Sequence, residues 1–333
     1  MNPDFINFLC CPETGDDLYL SDDRRGSFGL IESGILTTKK GTTYPIINGV
    51  PRFVKEESYS ESFGFEWKRW SQVQFEDRNK KSRLYNHTSM MFDKTTGFSI
   101  EKITGKTVVE FGCGPGRFLD LVKKRGGIAI GLELSSAADV ARTNFKNDPH
   151  VFIVQGDILH PPFKKNIFDF GYSIGVFHHT PAPEMALNKL VETIKAGGEI
   201  ACCVYENNNG KGLYDSAAVI GYRKFLNSLD SRHSRPLALA YSYFSAYFLY
   251  LFFFPAFKIP GLRSVAGYLT RNIFPGVFYL RDGRWRVLDT FDAITPKFAS
   301  THTPEELKKW FEKSGCTDII TMPFGKTSFK AVK

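Results

Sequence analysis

The stretch "VVEFGCGPGRF", Val108 to Phe118, decides how this chain is read. An apolar run falls into glycines at 112, 114 and 116 and then turns amphipathic. Gly112 and Gly114 permit tight backbone geometry and leave no Cβ between the chain and a ligand. Outward from this point strands and helices alternate: "TVVEF", "FLDLVKKR", "IAIGLEL", "SAADVARTNF", "VFIVQGD", "IFDFGYSIGV", the helical "EMALNKLVETIK", and "EIACCVY". Buried strands alternating with amphipathic helices predict an α/β domain, its parallel sheet covered on both faces.

The alternation stops near residue 206 and resumes with "TPEELKKWFEKSG", where Thr303 can cap a helix with Pro304 first and Glu306 third. "TDIITMPFGKTSFKAV" then reads as two closing strands around a "PFGK" turn. Residues 1–54 are turn-rich with short apolar runs, a small β-rich unit. The expected organisation is therefore 1–54 as that unit, 55–100 as a helical, aromatic linker, 101–205 as the core, 206–288 as a helical insertion, and 289–333 as the closing helix and antiparallel hairpin.

Composition is that of a soluble globular protein, with 42% hydrophobic and 23% charged residues. The formal charge of +8 suits an anionic partner or simply solubility. No run of five basic residues and no nucleic-acid motif occurs, so nucleic acid is not the expected partner. Six cysteines include the adjacent pairs Cys10-Cys11 and Cys202-Cys203 but no disulfide framework. "MNPDFINFLCCPETGDD" shows no secretory pattern, and a reducing cytoplasm is the expected location.

Two classes of nucleotide ligand use a glycine loop after a first strand. A dinucleotide fingerprint, G-x-G-x-x-G, would place its third glycine at 117, where this chain has Arg117. Three acids add to the signal: Glu110 ends the first strand, Glu133 the second in "GLELS", and Asp157 follows the third in "QGDI". A carboxylate in the second position can accept both hydroxyls of a ribose, and one in the third can meet an adenine amino group. Each alone is as readily a solvated strand-end acid. Three in succession mark the carboxyl edge of the sheet, where ligands bind.

With "EFGCGPGRF", "GLELS", "VQGDI", "FDFGYSIGVFHHTP" and "KAGGEI" in this order, the chain resembles the class I S-adenosylmethionine (SAM) dependent methyltransferases, in the group with a "GVLHHT"-like fourth-strand motif. The likeness runs over roughly residues 60–205, and more weakly from 289. It implies a Rossmann-like methyltransferase sheet and SAM as cofactor, leaving S-adenosylhomocysteine, with no metal. It further implies Gly112, Cys113, Gly114 and Gly116 under the methionine part, Glu133 and Leu134 at the ribose, and Asp157 and Ile158 at the adenine. Glu110 and Ser173 are expected to bind the cofactor as well. "SFGFEWKRW" precedes the sheet, and Trp67 in it is expected either to cover the sulfonium or to pack the first helix. Cys113 reads as a small apolar residue.

"LCCPETGDDL" and "GILTTKKGTTYPIINGVPRFV" resemble the small zinc-ribbon-like activator subunit of certain tRNA and translation-factor methyltransferases, here fused in cis. Relatives carry two C-x-x-C pairs. Here Thr14 stands where the second ligand after Cys11 would be, and no second pair exists, so no zinc is expected.

For chemistry, methyl transfer needs alignment, and a hydroxyl acceptor gains from a general base. His178 and His179 follow the fourth strand, beside the expected methyl position. His302 in "FASTHTP" and Asp292 in "DTFDAITP" are further candidates, each with a packing or capping role as its alternative. Within the insertion, "PLALAYSYFSAYFLYLFFFPAF", residues 236–257, carries no charge. A single span would split one sheet across a bilayer. Two readings therefore remain: a cap buried on the core or a partner, and a helix lying in the membrane surface. The expected function is O-methylation of a small molecule or glycan, lipid-linked or free. The alternatives are a tRNA or protein methyltransferase and a non-catalytic SAM-binding interaction protein.

Overall fold

A computed structural model describes residues 1–54, 60–146 and 148–333. Residues 55–59, the start of the expected linker, lie outside the described residues. The N-terminal unit is an antiparallel sheet of β1 (Tyr19–Arg25), β2 (Ile31–Thr37), β3 (Thr43–Ile47) and the short β4 (Val50–Pro51), in that order. Helices α1 (Glu61–Arg69), α2 (Glu76–Asn79), α3 (His87–Thr96) and α4 (Ile100–Ile103) lead to the core.

The core alternates as its sequence does. β5 (Thr107–Phe111), α5 (Arg117–Lys124), β6 (Ile128–Glu133), α6 (Ala137–Asn144) and β7 (Val151–Gln155) form one half. β8 (Phe168–Ile174), α7 (Pro183–Thr193) and β9 (Ile194–Cys203) form the other. β5 to β9 are parallel, in the order β9-β8-β5-β6-β7. The order reverses between β5 and β8, which opens a crevice at the carboxyl ends of those strands.

An insertion follows: α8 (Ala217–Asn227), α9 (Ser231–Tyr243), a π turn (Phe244–Leu249), α10 (Tyr250–Ala256), α11 (Pro260–Asn272) and α12 (Gly283–Ile294). Helix α13 (Pro304–Lys313) then returns the chain to the sheet. Its Thr303 and Glu306 form the reciprocal capping box expected from the sequence. β10 (Thr317–Thr321) and β11 (Ser328–Val332) complete the sheet, β11 antiparallel to β9 and β10 outside it.

Both faces of the sheet are covered, and neighbouring residues of β5 serve opposite cores. Val109 and Phe111 join Leu187 of α7 and Phe311 of α13, whereas Val108 joins Phe92 of α3 and Leu119 of α5. The N-terminal unit shares the first of these cores. Phe5 stacks on Phe152 of β7 at 4.5 Å, and the Phe53 N–H donates to Gln155 O at 2.9 Å. Cys10 and Cys11 are buried free thiols, with Cys11 Sγ 3.2 Å from the Tyr44 hydroxyl. No cluster of three or more potential metal ligands occurs among the described residues.

The aromatic stretch is not a fully buried cap. Ala238, Ser242, Ser245, Ala246, Leu249 and Phe253 point inward, while Leu237, Phe244, Phe248, Leu251 and Phe252 are exposed.

Candidate active site

A cavity of about 500 Å³ lies at the carboxyl ends of β5, β6, β8 and β9 and under α1 and α12. Its floor is the glycine loop. Gly112 has φ +79°, and a Cβ there would stand 2.3 Å from Val176 Cγ1. At Gly114 a Cβ would press on the Trp67 indole at 3.1 Å, so the bare backbone lets that ring close over the loop. Cys113 between them is buried, and burial beside Glu133 and Glu110 pushes its thiol well up, which leaves it an unreactive filler.

Glu110 and Glu133 both reach the wall. Glu110 is buried and accepts the Tyr172 hydroxyl at 3.0 Å; burial holds its carboxyl well above the usual range. Glu133 accepts the Gly114 N–H at 3.0 Å and the Ser135 N–H at 2.9 Å, which ties the end of β6 to the loop. Leu134 and Ile158 line the same end. Asp157 and Ser173 do not. Asp157 caps the Leu159 N–H at 2.9 Å, and the Ser173 hydroxyl donates to Phe111 O at 2.9 Å, joining β8 to β5.

The three histidines separate clearly. His179 lines the cavity. Its Nδ1 lies 2.9 Å from the Phe298 carbonyl, which can only accept, so Nδ1 carries the proton and Nε2 the lone pair. That Nε2 is buried with no partner among the described residues. Burial lowers the imidazole pKa, while the Asp292 carboxylate and the Phe298 carbonyl oppose the shift. His178 has the reverse tautomer. Its Nδ1 accepts the Tyr205 N–H at 3.2 Å and its ring stacks on Tyr205 at 3.6 Å, outside the cavity wall. His302 is also outside. It bonds Ser300 Oγ at 2.8 Å, faces Glu306 and packs on Trp310, so it fastens the closing segment.

The far wall holds Asp292, a candidate from the sequence, together with Glu66, Asp289 and Arg117, which sequence reasoning missed. Glu66 on α1, inside the same "SFGFEWKRW" that drew notice for its aromatics, is fully buried with both carboxyl oxygens unpartnered. Burial, then Asp292 and Asp289, push its pKa well up. Asp289 and Asp292 stand one turn apart on α12. Burial and Asp292 raise Asp289 to about 7, against the pull of Arg117. Asp292 accepts the Tyr205 hydroxyl at 2.8 Å, and Tyr205 stacks on Tyr214 at 3.5 Å. Arg117 meets the Met91 sulfur at 3.9 Å and has no ion pair among the described residues. The spacing of Asp289 and Asp292 on one helical face was the available signal. Glu66 and Arg117 carried none, because only the fold brings them together.

Residues 109–202 match the methyltransferase domain family. This segment is a methyltransferase domain. SAM is the cofactor of such a domain, and the walls suit it. The methyltransferase loop leaves its backbone bare at Gly112 and Gly114. The orphaned Glu66 carboxyl can receive a cationic group, and the unpaired Arg117 a carboxylate. Glu133 stands on the same wall at the end of β6.

Curated relatives match part of the chain. A tRNA U34 carboxymethyltransferase of Ruthia magnifica is 33% identical over 106 residues, 30% of this chain and 33% of that protein. The sterol 24-C-methyltransferase of Schizosaccharomyces pombe is 27% identical over 143 residues, 41% and 37%. The chain thus spans about a third of the length of these relatives. Among solved structures, a protein of Methanococcus maripaludis described as a SAM-dependent methyltransferase aligns with 84% of this chain and 95% of its own, at 14% identity and a TM-score of 0.42.

Proposed function

We propose that the whole chain is a SAM-dependent methyltransferase that acts on a hydroxyl of a small-molecule or glycan acceptor. The observation that carries this reading is His179 Nε2, an unpartnered, buried lone pair on the cavity wall beside the glycine loop. When bound, SAM supplies an electrophilic methyl group on a sulfonium. The protein's task is then to align the acceptor and remove its proton. His179 Nε2 takes that proton, and the Phe298 carbonyl fixes the ring by holding Nδ1–H. Asp292 favours the imidazolium so formed and is itself oriented by Tyr205. Near neutral pH Asp289, raised to about 7, is partly protonated, so it can both donate to and accept from acceptor hydroxyls.

His179→Asn should lower kcat on the order of 10²- to 10⁴-fold and leave the SAM dissociation constant unchanged. Because the His179 pKa is lowered from 6.5, the acid limb of kcat/KM in the wild type should fall below that value. Unchanged turnover in the variant sinks the role of His179. Methyl-labelled SAM incubated with an extract of the source cells identifies the acceptor fraction. Label on small molecules or glycans supports the proposal. Label on RNA favours a second reading, supported by the tRNA-modifying name of one relative and the +8 charge. Cofactor binding without any label favours a non-catalytic SAM-binding protein.

A further inference from the structure

We infer that the outward face of α9, α10 and α11 docks on an anionic lipid bilayer. From Ser231 to Ala256 the chain is helical, and the run is long and apolar enough to cross a membrane. It does not stand alone as a span would. Its inner stripe packs against α12, and β10 and β11, which close the same sheet as β5 to β9, follow it in the chain. Leu251 and Phe252 are 67% and 60% exposed, with Phe244, Tyr247 and Phe248 beside them. On α11, packed on α10 through Phe253 and Ala266, Leu262, Val265 and Tyr268 are exposed as well. Exposed apolar surface of this extent marks an interaction site.

Charge selects the occupant. Between Asp230 and Asp282 there is no acidic residue, whereas Arg232, Arg235, Lys258, Arg263, Arg271 and Arg281 all lie in this interval. Arg235 pairs with Glu61, but Lys258 and Arg263 are exposed at the turn between α10 and α11, with Lys258 over the Phe254 ring at 4.2 Å. A two-fold dimer would set this patch against its own copy, cation against cation. An anionic bilayer instead accepts the aromatic and leucine side chains at its interface and the cations at its headgroups.

The patch is tied to the active site. The π turn disturbs the helical ladder, and the Arg286 Nε–H from α12 donates to the Ala246 carbonyl at 2.8 Å. Three residues further on, α12 carries Asp289 into the cavity wall. Tyr279, 68% exposed in the segment that joins α11 to α12, belongs to that wall too.

The test is flotation of the full chain with vesicles of phosphatidylcholine alone or mixed with phosphatidylglycerol. The expected result is flotation with the mixed vesicles, at least ~10-fold stronger than with neutral ones and weakened by salt. Leu251→Glu with Phe252→Glu should abolish it while the SAM-induced thermal shift persists. The milder pair Lys258→Glu with Arg263→Glu should weaken it with the helices intact. Failure to float with either vesicle overturns the proposal, as does equal flotation with both. So does a dimer that the Leu251 and Phe252 substitutions dissociate in a protein that never floats. None of these readouts requires methyl transfer, so they stand apart from the fate of the O-methylation reading.

Discussion

Asp289 and Glu66 place acidic groups where water cannot reach them freely, and this makes the cofactor-free protein sensitive to pH. The Asp289 pKa rises from 3.8 to about 7 on folding. Between those values the unfolded chain binds fewer protons than the folded one, so stability falls as pH rises through the window. Glu66 acts in the same direction from 4.5 upward. Asp289→Asn should therefore flatten the decline of unfolding free energy across the window from 3.8 to about 7, by at most about 1.4 kcal/mol per pH unit, and with it the decline of Tm. Parallel melting curves for wild type and variant across that range would refute the assignment. The "SIGVFHHTP" motif made both adjacent histidines visible in the sequence. What separates them is a hydrogen bond to Phe298, 119 residues from His179, which no local pattern reveals.

Helix α12 is the element on which the site depends. Trp285, Asp289 and Asp292 follow a spacing of four and three residues, which puts them on one face toward the cavity. Arg286, on the flank of that face, holds the π turn. The helix begins at Asp282, whose carboxylate accepts the N–H groups of Arg284 at 2.9 Å and Trp285 at 3.4 Å. Asp282→Ala should cost about 1 kcal/mol of stability. On the proposed reading, in which Asp289 of α12 meets the acceptor, it should also raise the KM for acceptor more than that for SAM. Equal changes in both constants, measured by steady-state titration, would remove that division. The cap of α13 was legible from Thr303, Pro304 and Glu306, since a capping box is a short local pattern. The start of α12 lies within the insertion, where the strand–helix alternation that guided the reading is interrupted.

At the scale of the whole molecule, the N-terminal unit and the sheet unfold as one if they share one core. Phe5 is buried against Phe152, and Leu9, Ile31 and Leu36 join the cluster that holds Val109 and Phe111. Phe5→Ala should shift a single unfolding transition by about 3–5 kcal/mol. A second, separate transition for the first fifty residues in calorimetry would show that the unit is independent.

The sequence by itself determined the order of strands and helices, the glycine loop with its acidic strand ends, and the capped closing helix. These follow from periodicity and steric limits that act over a few residues. Only the tertiary structure decided which histidine holds a free lone pair on the cavity wall. It also gathered Glu66, Arg117, Asp289 and Asp292 around one cavity and turned the aromatic face of α9 and α10 outward. Burial, tautomer and exposure are set by partners far apart in the chain, and those distances close only when it folds.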